Sequence, residues 1–530
     1  MPAERLQSVR TGASPARAAP PSAPGPLPLP APRPPYASRT LAAADGRRYY
    51  WPRLLPLLAG LAVLTRLPSF ARPLWNPDEG YLAVQARMLA AGGALYETVV
   101  DRKPPLLPWL YQGAFALFGD DSLWPLRALA VLAQLLTAVL LAAVARGRWG
   151  DRAGRTAGVL YLLVSIGLNP EDTQAAGFEV FMLPATVAAV RCADRRWWAA
   201  AGLMVAAAAL TKQTGGAVAL PVLWLLWRHR PRGTRLSAGC RLGFGFAAPV
   251  AVVALATDPS GFLFWTVTGS AEYAALSGSE LHVLGRAAAN AALLAAACAG
   301  LVLPSLALLR RRATGARAGA WTADLWLWGL SSAVAVSVGF HFFGHYYLQL
   351  LPPLVLLGTA ALRRLPRPWP RAAVLCSAAS CLTFLGWGLL APSGELEHAR
   401  LLARQVELRT AAADRVLIWG MHPEQYWFAD RTPATRYLTA GLLTNYSGGR
   451  DGRQVGPRYA VPGSWSVLRR ELAAGPPALI VDDSRGKPYG PDRVPALRGF
   501  LRKHYVPVGT VNGAILYARP GTPAAGAGKD

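Results

Sequence analysis

The residues best suited to chemistry share one polar segment, residues 70–104, which we call the arm. Its candidate residues are three carboxylates and two cations: Asp78, Glu79, Asp101, Arg102 and Lys103. A carboxylate within reach of a hydroxyl can accept its proton, and cations can neutralise a departing phosphate. Ionisable groups held against a bilayer are costly, so they indicate a functional site by default. The arm therefore predicts the catalytic loop of a membrane-embedded enzyme.

An ordinary polar loop is the alternative interpretation of the arm. Asn76 or Asp78 could cap a helix that begins after Pro77. The two cations could simply pair with nearby acids, Asp101 and Glu97. The residue types of the arm leave both interpretations open.

The composition places the arm in a membrane protein. Of the 530 residues, 53% are hydrophobic and only 16% are charged, which is too apolar for a typical soluble enzyme. The formal net charge of +26 comes mainly from arginines in short clusters between apolar runs. Such clusters are typical of topology signals and of contacts with anionic membrane lipids. We therefore expect membrane lipids, and no nucleic acid, among the partners.

The arginine clusters also decide which apolar runs span the membrane. The run 105–118 is short for a crossing, which takes about 20 residues. If it is left out, the arginine clusters fall on one side and the loops on the other side hold few basic residues, with the pair Arg102 and Lys103 of the arm as an exception. The positive side is cytoplasmic, and this predicts about eleven spans: 53–69, 125–145, 156–169, 178–192, 197–211, 215–228, 240–257, 284–309, 323–343, 346–362 and 371–391.

This topology predicts a cytoplasmic N-terminus, with the arm and the C-terminal region outside. Residues 1–50, rich in Pro, Ala and Arg, are predicted to be a disordered cytoplasmic tail because they can bury little surface. The spans make up a domain over 51–392. Strand-like runs at 415–420, 478–483 and 514–517, together with a helical stretch at 398–413, predict a small α/β domain over 393–520. The tail 521–530 is predicted to be disordered.

Polar and aromatic side chains collect at the predicted outer ends of the spans: Lys212, His341, His345, Tyr346 and Tyr347. Each one alone fits an interfacial aromatic belt or a side chain reaching for water. Their occurrence on one side favours a common cavity with the arm. No Gly-rich nucleotide loop and no dedicated metal cage is apparent, although Asp78, Glu79 and an outer histidine could bind a divalent cation.

Several blocks of the sequence have counterparts in a known family. They are N-P-D-E-G-Y (76–81), D-R-K-P-P-L (101–106), L-F-G (117–119) followed by Arg127, A-L-T-K-Q-T-G (209–215), F-G-H-Y-Y-L-Q-L-L-P-P (343–353) and V-L-I-W-G-M-H-P-E-Q-Y (416–426). These blocks resemble the C-type (GT-C) glycosyltransferases that use polyprenyl-phosphate sugars. The resemblance is in particular to bacterial members akin to the aminoarabinose lipid A transferases and protein O-mannosyltransferases. The resemblance covers most of residues 53–440.

The resemblance implies an α-helical, multi-pass GT-C fold in the bacterial cytoplasmic membrane. It implies that Asp78 is the catalytic base or a group that positions the acceptor, that Glu79 is its neighbouring acid, and that Lys103 contacts the donor phosphate. We place substrate contacts at further side chains of the outer face: Tyr81, Asp101, Arg102, Lys212, His341, His345 and Tyr346.

The expected reaction moves a sugar from a polyprenyl-phosphate donor to an envelope lipid, glycan or protein. Displacement of the phosphate in line would invert the anomeric centre. A transporter or flippase for a lipid-linked glycan is the alternative, since it could use the same charges for recognition. Transporters are typically built from internal repeats with binding sites at the bilayer midplane, and neither feature is found in this sequence.

Overall fold

The computed structural model describes residues 49–229, 232–269, 280–313, 322–366, 368–392, 394–445 and 454–520. The tails predicted at 1–50 and 521–530 therefore lie outside the described residues, except for residues 49 and 50. The chain divides into two compact units, Met1–Trp51 and Pro52–Asp530. All that follows concerns described residues of the second unit, apart from the start of the first helix.

Helices make up most of the described chain. In order, the α-helices are α1 (Tyr50–Arg66), α2 (Pro77–Ala90), α3 (Leu106–Phe118), α4 (Trp124–Trp149), α5 (Asp151–Val164), α6 (Pro170–Thr173), α7 (Phe178–Asp194), α8 (Trp198–Thr211), α9 (Ala219–His229), α10 (Arg232–Ala256), α11 (Pro259–Leu263), α12 (Glu280–Ala297), α13 (Ala299–Ala313), α14 (Ala323–Ser337), α15 (Leu351–Leu362), α16 (Pro368–Leu390), α17 (Gly394–Glu407), α18 (Glu424–Phe428), α19 (Gly441–Thr444), α20 (Ser464–Ala474) and α21 (Pro495–His504). Tighter 3-10 turns cover Leu67–Ala71, Gln213–Val218, Gly344–Leu350, Pro457–Tyr459 and Pro491–Arg493, and a π turn covers Phe264–Thr268.

Each predicted span overlaps a helix, and in five of the eleven spans the helix is shorter than the predicted span. Among the described residues, 4 helical segments are long and apolar enough to cross a membrane: Tyr50–Ala71, Trp124–Trp149, Gly233–Ala256 and Pro368–Glu407. The span predicted at 284–309 is instead the pair α12 and α13, bent by 90° at the break, and it would count as a fifth. Two other predicted spans, 215–228 and 346–362, begin in 3-10 turns and not in α-helix. These turns, Gln213–Val218 and Gly344–Leu350, lie where polar residues stand.

The short apolar run after the arm forms α3, a helix of 13 residues. At about 1.5 Å per residue it is too short to cross the apolar core of a bilayer, which is about 30 Å thick. Its end is marked by Gly119 with φ 82°, a left-handed conformation that glycine adopts without strain. The length of α3 agrees with the prediction that this run does not span.

Ion pairs join the ends of three helices that carry or adjoin the basic loops. Arg148, at the end of α4, lies 2.8 Å from Asp194 of α7 and 2.7 Å from Asp324 of α14. These contacts bring the loops near residues 150, 195 and 322 to one end of the bundle. The grouping is the one that the arginine distribution predicted for a single side of the membrane.

The C-terminal region contains a five-stranded sheet in the order β2-β1-β3-β5-β4. The strands are β1 (Arg415–Trp419), β2 (Thr432–Pro433), β3 (Leu479–Asp482), β4 (Val506–Val511) and β5 (Ala514–Ala518). β1 is parallel to β2 and β3, with Val416 opposite Leu479, whereas β5 is antiparallel to β3 and β4. The three predicted strands are confirmed as β1, β3 and β5, and the predicted helical stretch corresponds to α17.

The sheet region and the arm share one hydrophobic core. Buried residues of α2 and of the sheet region belong to the same cluster: Leu82, Ala83, Val84 and Ala86 with Leu402, Val406, Ile418, Tyr426, Trp427 and Val481. Two segments that pack into one core must lie on the same side of any membrane. The sequence predicted a common side for them from charge alone.

Candidate active site

The first turn of α2 presents Asp78 at the surface of a cavity. Pro77 occupies the first helical position, where its missing N–H costs nothing, and Asn76 is the N-cap because its Oδ1 accepts the Glu79 N–H at 3.2 Å. Asp78 is thus not the cap, contrary to the alternative left open by the sequence. Its side chain is 52% exposed, and the cavity lining includes it.

His345 joins two carboxylates that come from different parts of the chain. Its Nδ1 lies 2.8 Å from Oδ1 of Asp172 in α6, and its Nε2 lies 3.9 Å from Oδ2 of Asp78. All three side chains line the same cavity, together with Glu179. Burial lowers the pKa of His345, but the charge of Glu179 and the hydrogen bond to Asp172 outweigh it and raise the pKa above 6.5. The imidazole is therefore held as a cation between acids over a wider pH range.

Two lysines provide positive charge beside this cavity. Lys212 forms a buried ion pair with Glu179, and its Nζ lies 3.8 Å from the centroid of the Tyr346 ring. Lys103 lies 5.3 Å from the centroid of the Phe178 ring, close enough to Lys212 for each charge to oppose the other. Burial lowers the pKa of Lys212 to about 8 even with Glu179 beside it. Cations brought together in this way suit a phosphate ligand.

The loop that carries Lys103 is fixed through its backbone. The Tyr81 hydroxyl donates to the carbonyl of Val100 at 2.9 Å, and the Tyr96 hydroxyl donates to the carbonyl of Lys103 at 3.0 Å. The Gln213 amide donates to the carbonyl of Arg102 at 2.5 Å. We therefore assign Tyr81 to positioning the loop, although the sequence analysis placed it among substrate contacts.

Asp101 and His341 are not among the residues that line the cavity. Burial raises the pKa of the Asp101 carboxyl, and the charges of Lys103 and Arg102 oppose that shift. The His341 ring stacks on Phe343 at 6.0 Å, and Phe343 stacks on His345 at 5.7 Å. His341 thus packs, through Phe343, behind the histidine that lines the cavity, and the substrate contact at His341 stays a prediction.

Glu79 was predicted to act beside Asp78 in the reaction, but its side chain is directed away from the cavity. Its side chain is 0% exposed and accepts three hydrogen bonds: from the N–H of Trp75 at 2.8 Å, from the N–H of Ala176 at 2.5 Å and from Nη2 of Arg127 at 2.8 Å. The Arg127 guanidinium also donates to the carbonyl of Gln174 at 2.8 Å. This buried pair ties the start of the arm helix to the segment after Asp172. Glu79 therefore orients the two cavity carboxylates and does not itself face the cavity.

Asp172 and Glu179 are the site residues that sequence reasoning did not select. Both belong to the acidic segment N-P-E-D-T-Q-A-A-G-F-E (169–179), which the sequence analysis did not include among the candidate sites. The available signal was an Asn-Pro start before two acids, the same pattern that opens the arm helix. Among the residues that the structure describes, no group of 3 or more His, Cys, Asp or Glu side chains is arranged to hold a metal ion.

The chain is similar to known proteins in part of its sequence and in its fold. Residues 102–257 match the family model described as dolichyl-phosphate-mannose-protein mannosyltransferase. The chain is similar to the crystal structure of ArnT from Cupriavidus metallidurans bound to undecaprenyl phosphate, with 17% identity and a TM-score of 0.59 over 91% of this chain and 100% of that chain. The apo state of the same protein gives 18% identity and a TM-score of 0.58 over 92% of this chain and 100% of that chain. The comparison with curated protein sequences gave no match.

These matches confirm the resemblance to GT-C glycosyltransferases: the chain has the fold of ArnT, and the mannosyltransferase family model covers its residues 102–257.

Proposed function

We propose that this protein is an integral-membrane glycosyltransferase that uses a polyprenyl-phosphate sugar as its donor. The observation that carries the proposal is the cavity itself, where Asp78 faces His345 and Asp172, and Lys103 and Lys212 stand at its edge. A glycosyl phosphate needs an acid–base group on one side of the reacting carbon and positive charge around the leaving group. This site offers both.

In the proposed reaction, the acceptor oxygen forms a bond to the anomeric carbon while the bond from that carbon to the phosphate oxygen breaks. The leaving polyprenyl phosphate keeps the electron pair, and Lys103 and Lys212 stabilise its charge. The proton of the acceptor hydroxyl passes to Asp78. A single in-line displacement of this kind inverts the anomeric centre. His345 and Asp172 hold the opposite wall of the cavity in place.

The donor class has support from the fold, because the similar ArnT structure was solved with undecaprenyl phosphate. The outer face of a bacterial cytoplasmic membrane is the proposed location. It is supported by the core that the arm and the sheet region share and by the arginine-rich loops, which predict the cytoplasmic side. The proposed acceptor is a lipid, glycan or protein of the envelope.

The test compares bacterial cells with and without the gene by mass spectrometry of envelope glycans and polyprenyl-phosphate sugars. We expect the cells without the gene to accumulate one polyprenyl-phosphate sugar and to lose one sugar from an envelope component. Purified protein in liposomes should then transfer that sugar to envelope extract from the same cells. Movement of the lipid-linked sugar across the bilayer without any transfer would instead support a flippase and would end the proposal.

A further inference from the structure

The arm helix makes an unusually close contact with the C-terminal region at Gly80. A Cβ atom added to Gly80 would lie 2.3 Å from Cβ of Glu424 and 2.6 Å from its Cα. Gly80 belongs to the regular helix α2, where glycine is the poorest helix former apart from proline. Its presence is therefore explained by the space that Glu424 occupies. Any side chain at this position would push α2 and α18 apart.

Glu424 is fixed at the contact by buried polar partners. It is 5% exposed, and its Oε1 lies 2.9 Å from Nδ1 of His422. The next residue, Gln425, donates to Oδ2 of Asp483 at 2.6 Å, and Oδ1 of Asp483 lies 2.9 Å from Nε2 of His398. The network anchors α18 to the end of β3 and to α17. The sheet region therefore offers the arm helix a rigid support.

A second contact secures the other end of the arm helix. Arg87 lies 2.9 Å from Oδ1 of Asp430 and donates to the carbonyl of Trp427 at 3.3 Å. Trp427 in turn donates to the carbonyl of Asp120 at 3.0 Å. With both ends of α2 attached to the segment 424–430, the position of its first turn depends on the Gly80 contact.

Asp78 lies in that first turn, two residues before Gly80. Its Oδ2 stands 3.9 Å from His345, which belongs to a different part of the bundle. A misplacement of about 1 Å in a catalytic group can cost about 100-fold in rate. We infer that Glu424, through its contact with Gly80, is a positioning residue that sets Asp78 against His345 for the transfer reaction. The C-terminal sheet region would thus be part of the catalytic apparatus, an inference that rests on the proposed function.

The direct test is Gly80→Ala in the purified full-length protein, with turnover and donor KM measured for sugar transfer. We expect kcat to fall about 100-fold, with the donor KM within about 3-fold of wild type because the lysines beside the cavity are unchanged. The matched control is Gly113→Ala in helix α3, where an added Cβ meets nothing within 4 Å, and it should keep wild-type turnover. Wild-type turnover in Gly80→Ala would overturn the inference.

Combining Gly80→Ala with Asp78→Asn distinguishes a role of Gly80 in positioning Asp78 from a merely structural role. If Gly80 acts through Asp78, adding Gly80→Ala to the Asp78→Asn protein should lower its residual turnover little further, because coupled changes are not additive. An equal fold-loss in both backgrounds, or a joint change of melting temperature and donor KM, would contradict the inference.

Glu424→Ala adds no atom at the contact but removes the bond to His422, so it should fold and lower kcat by about 10-fold. Unchanged kcat in that variant would also count against the inference. If wild-type protein shows no transfer at all, the proposed function fails first.

Discussion

Asp78 combines features that a general base needs, because its carboxylate is partly exposed, lines the cavity and is not used as a helix cap. The Asp78→Asn protein should lose about 10²–10⁴ in turnover, the usual worth of general-base participation. Folding should be unaffected, because Asn76 keeps the cap. Turnover and melting temperature of purified protein measure both expectations.

The matched control for this change is Asp121→Asn, which alters an exposed carboxylate just beyond α3. That protein should transfer sugar at the wild-type rate. If Asp78→Asn also keeps near-normal transfer, Asp78 has no catalytic role and the site must be reassigned.

The charges around the cavity predict how the reaction depends on pH. The pKa of His345 lies above 6.5, and the pKa of Lys212 is lowered to about 8. Both groups are cations at low pH and lose their charge as pH rises, so kcat/KM should fall through two alkaline steps. His345→Gln should remove one of the two steps and leave the one near pH 8. A pH profile in which His345→Gln changes neither step would show that this histidine does not titrate in the reaction.

At the residue scale, the sequence could indicate Asp78 and Lys103 because a carboxylate and a cation in an outer loop stand out against apolar surroundings. It could not show that Glu79 turns inward. The partner that turns it, Arg127, is 48 residues away, and only the fold brings the two together. Adjacent acids on one helix point in different directions, so they need not share a role.

At the scale of elements, the buried pair of Glu79 and Arg127 joins α2, α4 and the segment that follows α6. Breaking a buried ion pair by removing one partner usually costs about 3–5 kcal/mol. Glu79→Gln should therefore lower the melting temperature clearly and reduce turnover by disturbing Asp78 and Asp172. Thermal unfolding of the purified variant, followed by intrinsic fluorescence, measures the first effect.

The comparison for that prediction is the exposed pair of Glu395 and Arg485, whose carboxylate side chain is 65% exposed. Glu395→Gln should change the free energy of unfolding by less than about 1 kcal/mol. Equal melting temperatures for the Glu79 and Glu395 variants would mean that the buried pair is not a structural support.

Elements with strong local patterns were predictable, and interrupted ones were not. β1, β3 and β5 carry continuous apolar runs, whereas β2 has 2 residues and is defined only by its pairing with β1. The break between α12 and α13 falls at Cys298, in an alanine-rich stretch without proline. Hydropathy does not register such a bend, because the residues on both sides of the break are apolar or small. The sequence therefore predicted one straight span where the structure has two helices.

At the scale of the whole molecule, the arm helix and the sheet region form one core at one end of the bundle. Arg148, Asp194 and Asp324 mark another end, where the arginine-rich loops gather. These contacts support the topology prediction independently of the distribution of charges along the sequence. The topology prediction places the arm and the sheet region on one side of the membrane and the basic loops on the opposite side.

Cysteine labelling in cells tests the topology when the probe positions are exposed. Ser69 and Ser484 are only 2% and 3% exposed, so they are unsuitable despite lying in the right segments. Ala91 at the end of the arm helix, Ser466 in α20 and Arg364 in a basic loop are exposed. Each should be changed to Cys in a background that lacks the five native cysteines, two of which are exposed.

We expect an impermeant maleimide to label Ala91→Cys and Ser466→Cys in intact cells, and Arg364→Cys only after permeabilisation. The physical reason is that arginine-rich loops are retained on the cytoplasmic side, while the shared core forces the other two probes to one face. Labelling of Arg364→Cys in intact cells would invert the topology and move the cavity to the cytoplasmic face. Labelling of Ala91→Cys without Ser466→Cys would be a more serious contradiction, since it would separate two surfaces whose buried residues, Val84 and Trp427 among them, belong to one core.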